Sequence, residues 1–224
     1  MRSHRRSEIL LAAILSSAAG FVDAVGFIHL GGYFVSFMSG NSTRGGTALA
    51  EGNWTGFILA FGLVAVFLVG VVSASILRWL VPTRKRMAVM LYVTAALASA
   101  VVLFDVGLGG WLAPAFMALA MGAENVIFER DGEVSIGLTY MTGTLVKMGQ
   151  NIASALTGGG RRLWLRYLVL WLSLTTGSIV GGFSYFALSM NALWIAVAVL
   201  VLAVIFNGWL HTNPPRPPAT RVVL

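Results

Sequence analysis

The chain has 224 residues, 58% hydrophobic and 10% charged, with a formal net charge of +7 and a mean hydropathy of +0.85. Those values exclude an ordinary soluble domain, leave no room for a separate one, and identify an integral membrane protein with the lipid bilayer as its first partner. The basic excess is what the cytoplasmic loops of a polytopic chain carry, so no nucleic-acid partner is expected, and zero cysteines exclude a disulfide framework, thiol catalysis and thiolate metal sites.

The first apolar run covers 8–29 and follows the basic stretch Met1-Arg-Ser-His-Arg-Arg6. Ser16-Ser-Ala-Ala-Gly20 resembles a signal-peptide cleavage region, but Phe21, Val22, Ala24, Val25, Phe27 and Ile28 carry the pattern on, so it is read as a retained first span with Asp23 inside it. Segment 31–51 is different. Tyr33-Phe-Val-Ser-Phe-Met38 suits an extended chain, and Gly40-Asn-Ser-Thr43, Arg44 and Gly46 suit a short helix returning from near Gly40, capped by Ser39 or Asn41. Apolar spans follow at 54–80 and 87–107, with Arg84-Lys-Arg86 between them and Gly70 and Ala74 on one helix face. The span at 111–128 has Pro114 near its start and carries Glu124 and Asn125. In segment 134–158, Tyr140-Met-Thr-Gly-Thr-Leu-Val-Lys147-Met-Gly149 repeats the register of Phe37 to Gly46, with Thr142 or Thr144 as the cap and Gly143 in the place of Gly40. Spans at 163–188, with Gly177 and Gly181 on one face, and at 191–210 complete the membrane part. Residues 211–224, rich in proline, are expected to be a disordered cytoplasmic tail. Trp54, Trp79, Trp111, Trp164 and Trp209 lie near span ends as interfacial anchors.

The fold class is therefore an all-α integral membrane protein of about six transmembrane helices, each needing ~20 residues to cross a ~30 Å core. If the two short segments re-enter without crossing, Arg2, Arg5, Arg6, Arg78, Arg84, Lys85, Arg86, Arg130, Arg161, Arg162, Arg166, Arg216 and Arg221 all fall on one side, which places both termini in the cytoplasm. Full crossing by both segments is the alternative, and it puts Arg84-Lys-Arg86 outside. An odd number of spans per copy makes the two units, 8–107 and 111–210, inverted repeats. Non-helical backbone at membrane depth must be buried in protein or lined by water, so both broken segments are expected to meet centrally.

The chemistry follows from that arrangement. Gly40, Asn41, Ser42, Thr43 and Arg44 of the first copy, with Thr142, Gly143, Thr144 and Lys147 of the second, form the candidate substrate-binding set. Half-helix N-termini and the two cations favour an anionic group. Asp23 and Glu124 either carry protons or simply neutralise Arg44 and Lys147, and Asn125 competes with Glu124 as the counterpart of Asp23. His4, His29 and His211 are scattered, so no metal site and no cofactor are expected. Neither His-Glu-x-x-His nor Gly-x-Ser-x-Gly occurs, which argues against an enzyme.

Gly20-Phe-Val-Asp-Ala24, Phe27, Gly31-Gly32, Phe34, Met38-Ser-Gly-Asn-Ser-Thr43 and Gly46 resemble the YoaK-like bacterial inner-membrane proteins, a family defined by a domain of unknown function. The resemblance extends over nearly the whole chain and implies a multi-pass protein of the bacterial plasma membrane. The functional expectation is a small secondary transporter or permease for a small anionic or polar solute, with proton coupling as an option and a second copy as a candidate partner. A non-transporting scaffold or accessory subunit is the alternative.

Overall fold

The computed structural model describes residues 6–130, 133–134 and 136–212. The helices in chain order are α1 (Arg6–His29), α2 (Met38–Ala50), α3 (Trp54–Leu80), α4 (Lys85–Asp105), α5 (Gly109–Glu124), α6 (Met141–Leu156), α7 (Trp164–Leu188) and α8 (Leu193–Thr212). Between α5 and α6 lies a two-residue antiparallel pair, β1 (Glu129–Arg130) and β2 (Glu133–Val134). A 3-10 turn, Ser189–Ala192, joins α7 to α8. The expected disordered tail falls on residues outside those described, apart from the end of α8.

This is an all-helical membrane architecture. Four helical stretches are long and apolar enough to cross a bilayer: Ser7–His29, Trp54–Leu80, Lys85–Asp105 and Trp164–Trp209, the last taking in α7, the 3-10 turn and most of α8. The 16 residues of α5 extend about 24 Å at ~1.5 Å per residue, short of the hydrocarbon thickness. Pro114 stands inside α5, which begins two residues earlier than expected, at Gly109.

Local chemistry sets the helix ends. Gly32 N–H bonds the Phe27 carbonyl at 2.7 Å and Gly31 N–H that of Ile28 at 3.3 Å, a Schellman end to α1. Gly31 takes φ 63° and Gly32 φ 104°, conformations open to glycine at little cost. Asn53 caps α3 by accepting from Gly56 N–H at 2.9 Å. The expected caps of the short helices do not form. α2 starts at Met38 and α6 at Met141, behind Phe37 and Tyr140, neither of which makes a side-chain cap bond. Ser39, Asn41, Thr142 and Thr144 lie within the helices, because the non-helical chain before each helix ends at the aromatic residue.

The helix neighbours form a regular pattern. α1 packs on α7 and α3 on α5; α2 packs on α3 and α6 on α7; α4 packs on α5 and α8 on α1; α4 also meets α8, and α1 meets α5. Exchanging α1 with α5, α2 with α6, α3 with α7 and α4 with α8 leaves that pattern unchanged, except that α3 touches α4 directly whereas α7 reaches α8 through the 3-10 turn.

Glycines make the closest pairs. A Cβ on Gly177 would strike the Ser17 carbonyl and one on Gly20 the Leu174 carbonyl; in the other pair Gly70 meets the Leu119 carbonyl and Gly122 that of Phe67. In both pairs, each glycine meets the residue three positions before its partner's glycine, so Gly20 corresponds to Gly122 and Gly177 to Gly70. The small-residue faces serve close helix packing, as the spacing predicts. Leu11, Leu15, Leu97, Met117, Met121 and Leu200 are fully buried at the centre, while Leu68, Val69, Phe183 and Phe186 point outward from α3 and α7 as lipid-facing surface.

Candidate functional site: two pinned chain breaks

Asp23 lies in the last third of α1, where its Oδ1 accepts the N–H of Val35 at 2.9 Å and of Ser36 at 2.8 Å. Asn41, in the first turn of α2, accepts the Phe34 N–H on Oδ1 at 2.9 Å and donates from Nδ2 to the Phe34 carbonyl at 2.6 Å. These side chains replace the strand partner that segment 33–36 lacks, which satisfies backbone groups that hydrocarbon cannot. Val35 is buried, and its side chain shares with Met117 of α5 the space left open by Gly26 of α1.

The second break repeats the device with neutral groups. Asn125 follows the last residue of α5, donates from Nδ2 to the Met121 carbonyl at 2.9 Å and accepts the Thr139 hydroxyl on Oδ1 at 3.0 Å. The adjacent Leu138 carbonyl accepts the Ser16 hydroxyl of α1 at 3.2 Å. Ser16, Ser36, Asn125, Leu138 and Thr139 are all buried. Each break thus reaches the first helix of the other half: Val35 stands by Met117 of α5, and Leu138 is tied to Ser16 of α1.

Several expectations are corrected here. The two short helices do not converge: α2 lies on α3 and α6 on α7, with no contact between α2 and α6 among the described residues. Gly40 is half-buried beneath Phe34 and Phe37, and Asn41 is buried. Ser42, Thr43, Thr142 and Gly143 are exposed. The Ser42 and Thr43 hydroxyls turn back to the Met38 and Ser39 carbonyls at 2.9 and 3.2 Å. Thr144 is buried, and its hydroxyl bonds the Tyr140 carbonyl at 3.1 Å. What is buried is the non-helical part of each break, Val35-Ser36 and Leu138-Thr139, where the chain bends instead of running as the expected extended segment, while α2 and α6 pack on α3 and α7.

The expected ion pairs are absent as well. Arg44 is exposed on α2, and its guanidinium lies 4.7 Å from the centre of the Tyr33 ring and against Gly32, whereas Asp23 is held by backbone N–H groups. Lys147 is exposed on α6. Glu124 is 0% exposed, and neither of its carboxyl oxygens has a hydrogen-bond partner. The counterpart of Asp23 is Asn125, since each stands three residues after its glycine, Gly20 or Gly122. Ser16, Ser36 and Thr139 take part in the bonding of the two breaks and were not among the expected binding residues. Extending the repeat one residue leftward, from Phe37 and Tyr140 to Ser36 and Thr139, finds two of them; Ser16 carries no signal beyond a hydroxyl in an apolar run.

Two further links tie the breaks to α3 and α7. Arg78 donates to the Glu129 carbonyl at 2.9 Å and lies 3.5 Å from the Glu129 carboxylate. His29 Nδ1 stands 3.3 Å from the Tyr185 hydroxyl. Arg78 and Tyr185 are each eight residues past their glycine, Gly70 or Gly177, so corresponding positions of α3 and α7 serve both links.

The family described as "Protein of unknown function (DUF1275)" matches residues 11–206, from α1 to α8 and through both breaks. A UPF0700 transmembrane protein of Rhizobium meliloti (strain 1021) is 35% identical over 204 residues, which cover 88% of this chain and 86% of the relative. No solved structure matches the chain. The apolar helices and this relative agree with the composition, and the chain belongs to the DUF1275 family of membrane proteins.

Proposed function

We propose that the chain is a small secondary transporter of the bacterial inner membrane, moving a small polar or anionic solute past the two buried breaks. It works as two inverted three-span units, 8–107 and 111–210, with both termini cytoplasmic and α2 and α6 re-entrant. The observation that carries this reading is that each buried break leans on the first helix of the other unit, through Val35 beside Met117 and through Ser16 bonded to Leu138. The exchange of helix neighbours supports the repeat, and broken segments paired across a pseudo-symmetry axis suit alternating access. Solute recognition shifts inward from positions 40–44 and 142–147 to the hydroxyls of Ser36 and Thr139. Asp23 already occupies backbone donors beside the α2 N-terminus, so a neutral polar solute suits the first break better than an anion. Arg44 and Lys147, both exposed, act as attracting charges at the periphery.

The test is flux of a panel of small neutral and anionic solutes into proteoliposomes. Transport of at least one is expected, with at least tenfold loss on Ser36→Leu or Thr139→Leu. Wild-type flux in both variants removes the site. A scaffold is the second reading, favoured by the lack of contact between α2 and α6 among the described residues, and absence of flux for the whole panel supports it. No catalytic role is proposed.

A further inference from the structure

Glu124 is the one carboxyl among the described residues that is wholly buried with both oxygens unpartnered. The groups that could neutralise it are engaged or distant. Helices α1, α3 and α4 pack against α5. On α1, Glu8 faces Arg86 at 3.6 Å, Asp23 holds Val35 and Ser36, and His29 meets Tyr185. Arg78 of α3 is occupied by Glu129. On α4, Arg86 also lies 4.9 Å from the centre of the Phe128 ring, Tyr92 meets the Ser73 hydroxyl at 2.9 Å, and Lys85 and Asp105 are exposed at the helix ends.

The glycine register adds an argument that burial alone does not supply. With Gly20 matched to Gly122, the position equivalent to Glu124 is Val22, which is also fully buried. The fold is therefore satisfied by an apolar side chain at this place, and the carboxyl is an addition to one unit only. Asp23 and Asn125, by contrast, do one mechanical task with and without charge.

We propose that Glu124 is the exchangeable proton site of this protein, that it acts alone, and that Asp23 is a backbone pin rather than a proton carrier. A carboxylate stripped of water and partners is so costly in an apolar core that the group takes up a proton instead. Glu124 directly precedes Asn125, so proton loss or gain falls beside the pin of the second break and biases that break alone. Coupling to solute movement rests on the transport reading above; proton occupancy does not.

The experiment is infrared difference spectroscopy on the full chain in phosphatidylcholine vesicles, for wild type, Glu124→Gln and Asp23→Asn. The expected result is a protonated-carboxyl C=O band that shifts in D2O, vanishes in Glu124→Gln and persists in Asp23→Asn. A missing band, a band indifferent to Glu124→Gln, or one that never shifts in D2O overturns the proposal. Should Glu124→Gln fail to fold, Glu124→Asp must move the band in frequency, and an unmoved band counts against the site. Proton uptake under an imposed pH gradient supplies the coupling arm, with at least tenfold loss expected in Glu124→Gln and none in Asp23→Asn. An exchangeable Glu124 band without any proton flux leaves the site standing and removes its coupling to transport, whereas absence of solute flux removes the transport reading itself.

Discussion

Asp23 and Asn125 hold the two breaks with and without a charge, the first through backbone N–H groups and the second through a side-chain hydroxyl. One Oδ1 accepting two N–H groups holds the first break, and an amide oxygen accepting one hydroxyl holds the second. Asp23→Asn therefore keeps the acceptor and is expected to leave stability within about 1 kcal/mol of wild type. Asp23→Ala strands two N–H groups in an apolar setting and should destabilise by roughly 1–3 kcal/mol for each group. Denaturant titration of the reconstituted protein distinguishes the two, and equal losses in both variants would show that the charge itself holds the break. Sequence alone left Glu124 and Asn125 as rival counterparts of Asp23, because a one-residue gap between the copies cannot be placed from the motif. The contacts of Gly20 and Gly122 place it, and they depend on which carbonyls approach across the helix pairs, a matter of three dimensions.

At the scale of elements, the long helices were legible because hydropathy in a bilayer translates directly into helix length. The break in helix at Tyr33–Phe37 and the short helix behind it were legible too, from aromatic and β-branched residues giving way to small polar ones, although the stretch bends at Val35 and Ser36 instead of running extended. Which way α2 and α6 lean was not, since a half-helix rich in glycine, serine and threonine packs equally well on several neighbours. The hydroxyls of Ser42 and Thr43 explain how an outward face is tolerated: each is satisfied by its own helix backbone, so it asks nothing of its surroundings. Glycine substitutions separate the two kinds of helix face. Gly122→Val or Gly177→Val drives side-chain atoms into the carbonyls of Phe67 or Ser17, and overpacking of this sort costs about 1–3 kcal/mol or more. Gly143 has no atom within 4 Å of an added Cβ, so Gly143→Ala is expected to be neutral or to stabilise α6 by roughly 0.5–1 kcal/mol. Thermal unfolding in detergent reads both effects, and a severe loss from Gly143→Ala would restore that glycine to the functional site.

For the whole molecule, the decisive property is handedness in the membrane. The exchange of α1 with α5 and α3 with α7 holds whether the two units are inverted or parallel, because neighbour relations do not record direction relative to the bilayer. Direction follows from crossing number: three spans per unit invert the second copy, and four would leave it parallel. The charge pattern favours three, since it keeps Arg84-Lys-Arg86 on the same side as Arg78, Arg161 and Arg162. An inverted pair of breaks has a consequence that a parallel pair lacks, namely that Ser36 and Thr139 open toward opposite faces. The native chain contains no cysteine, so Ser36→Cys and Thr139→Cys each carry a single thiol. Membrane-impermeant maleimide is expected to label position 36 from the periplasmic side only and position 139 from the cytoplasmic side only. Labelling of both from one side would establish eight crossings and a parallel repeat. Protection of both from either side would mean that no water reaches the breaks, leaving Asp23 and Asn125 as fasteners of a scaffold.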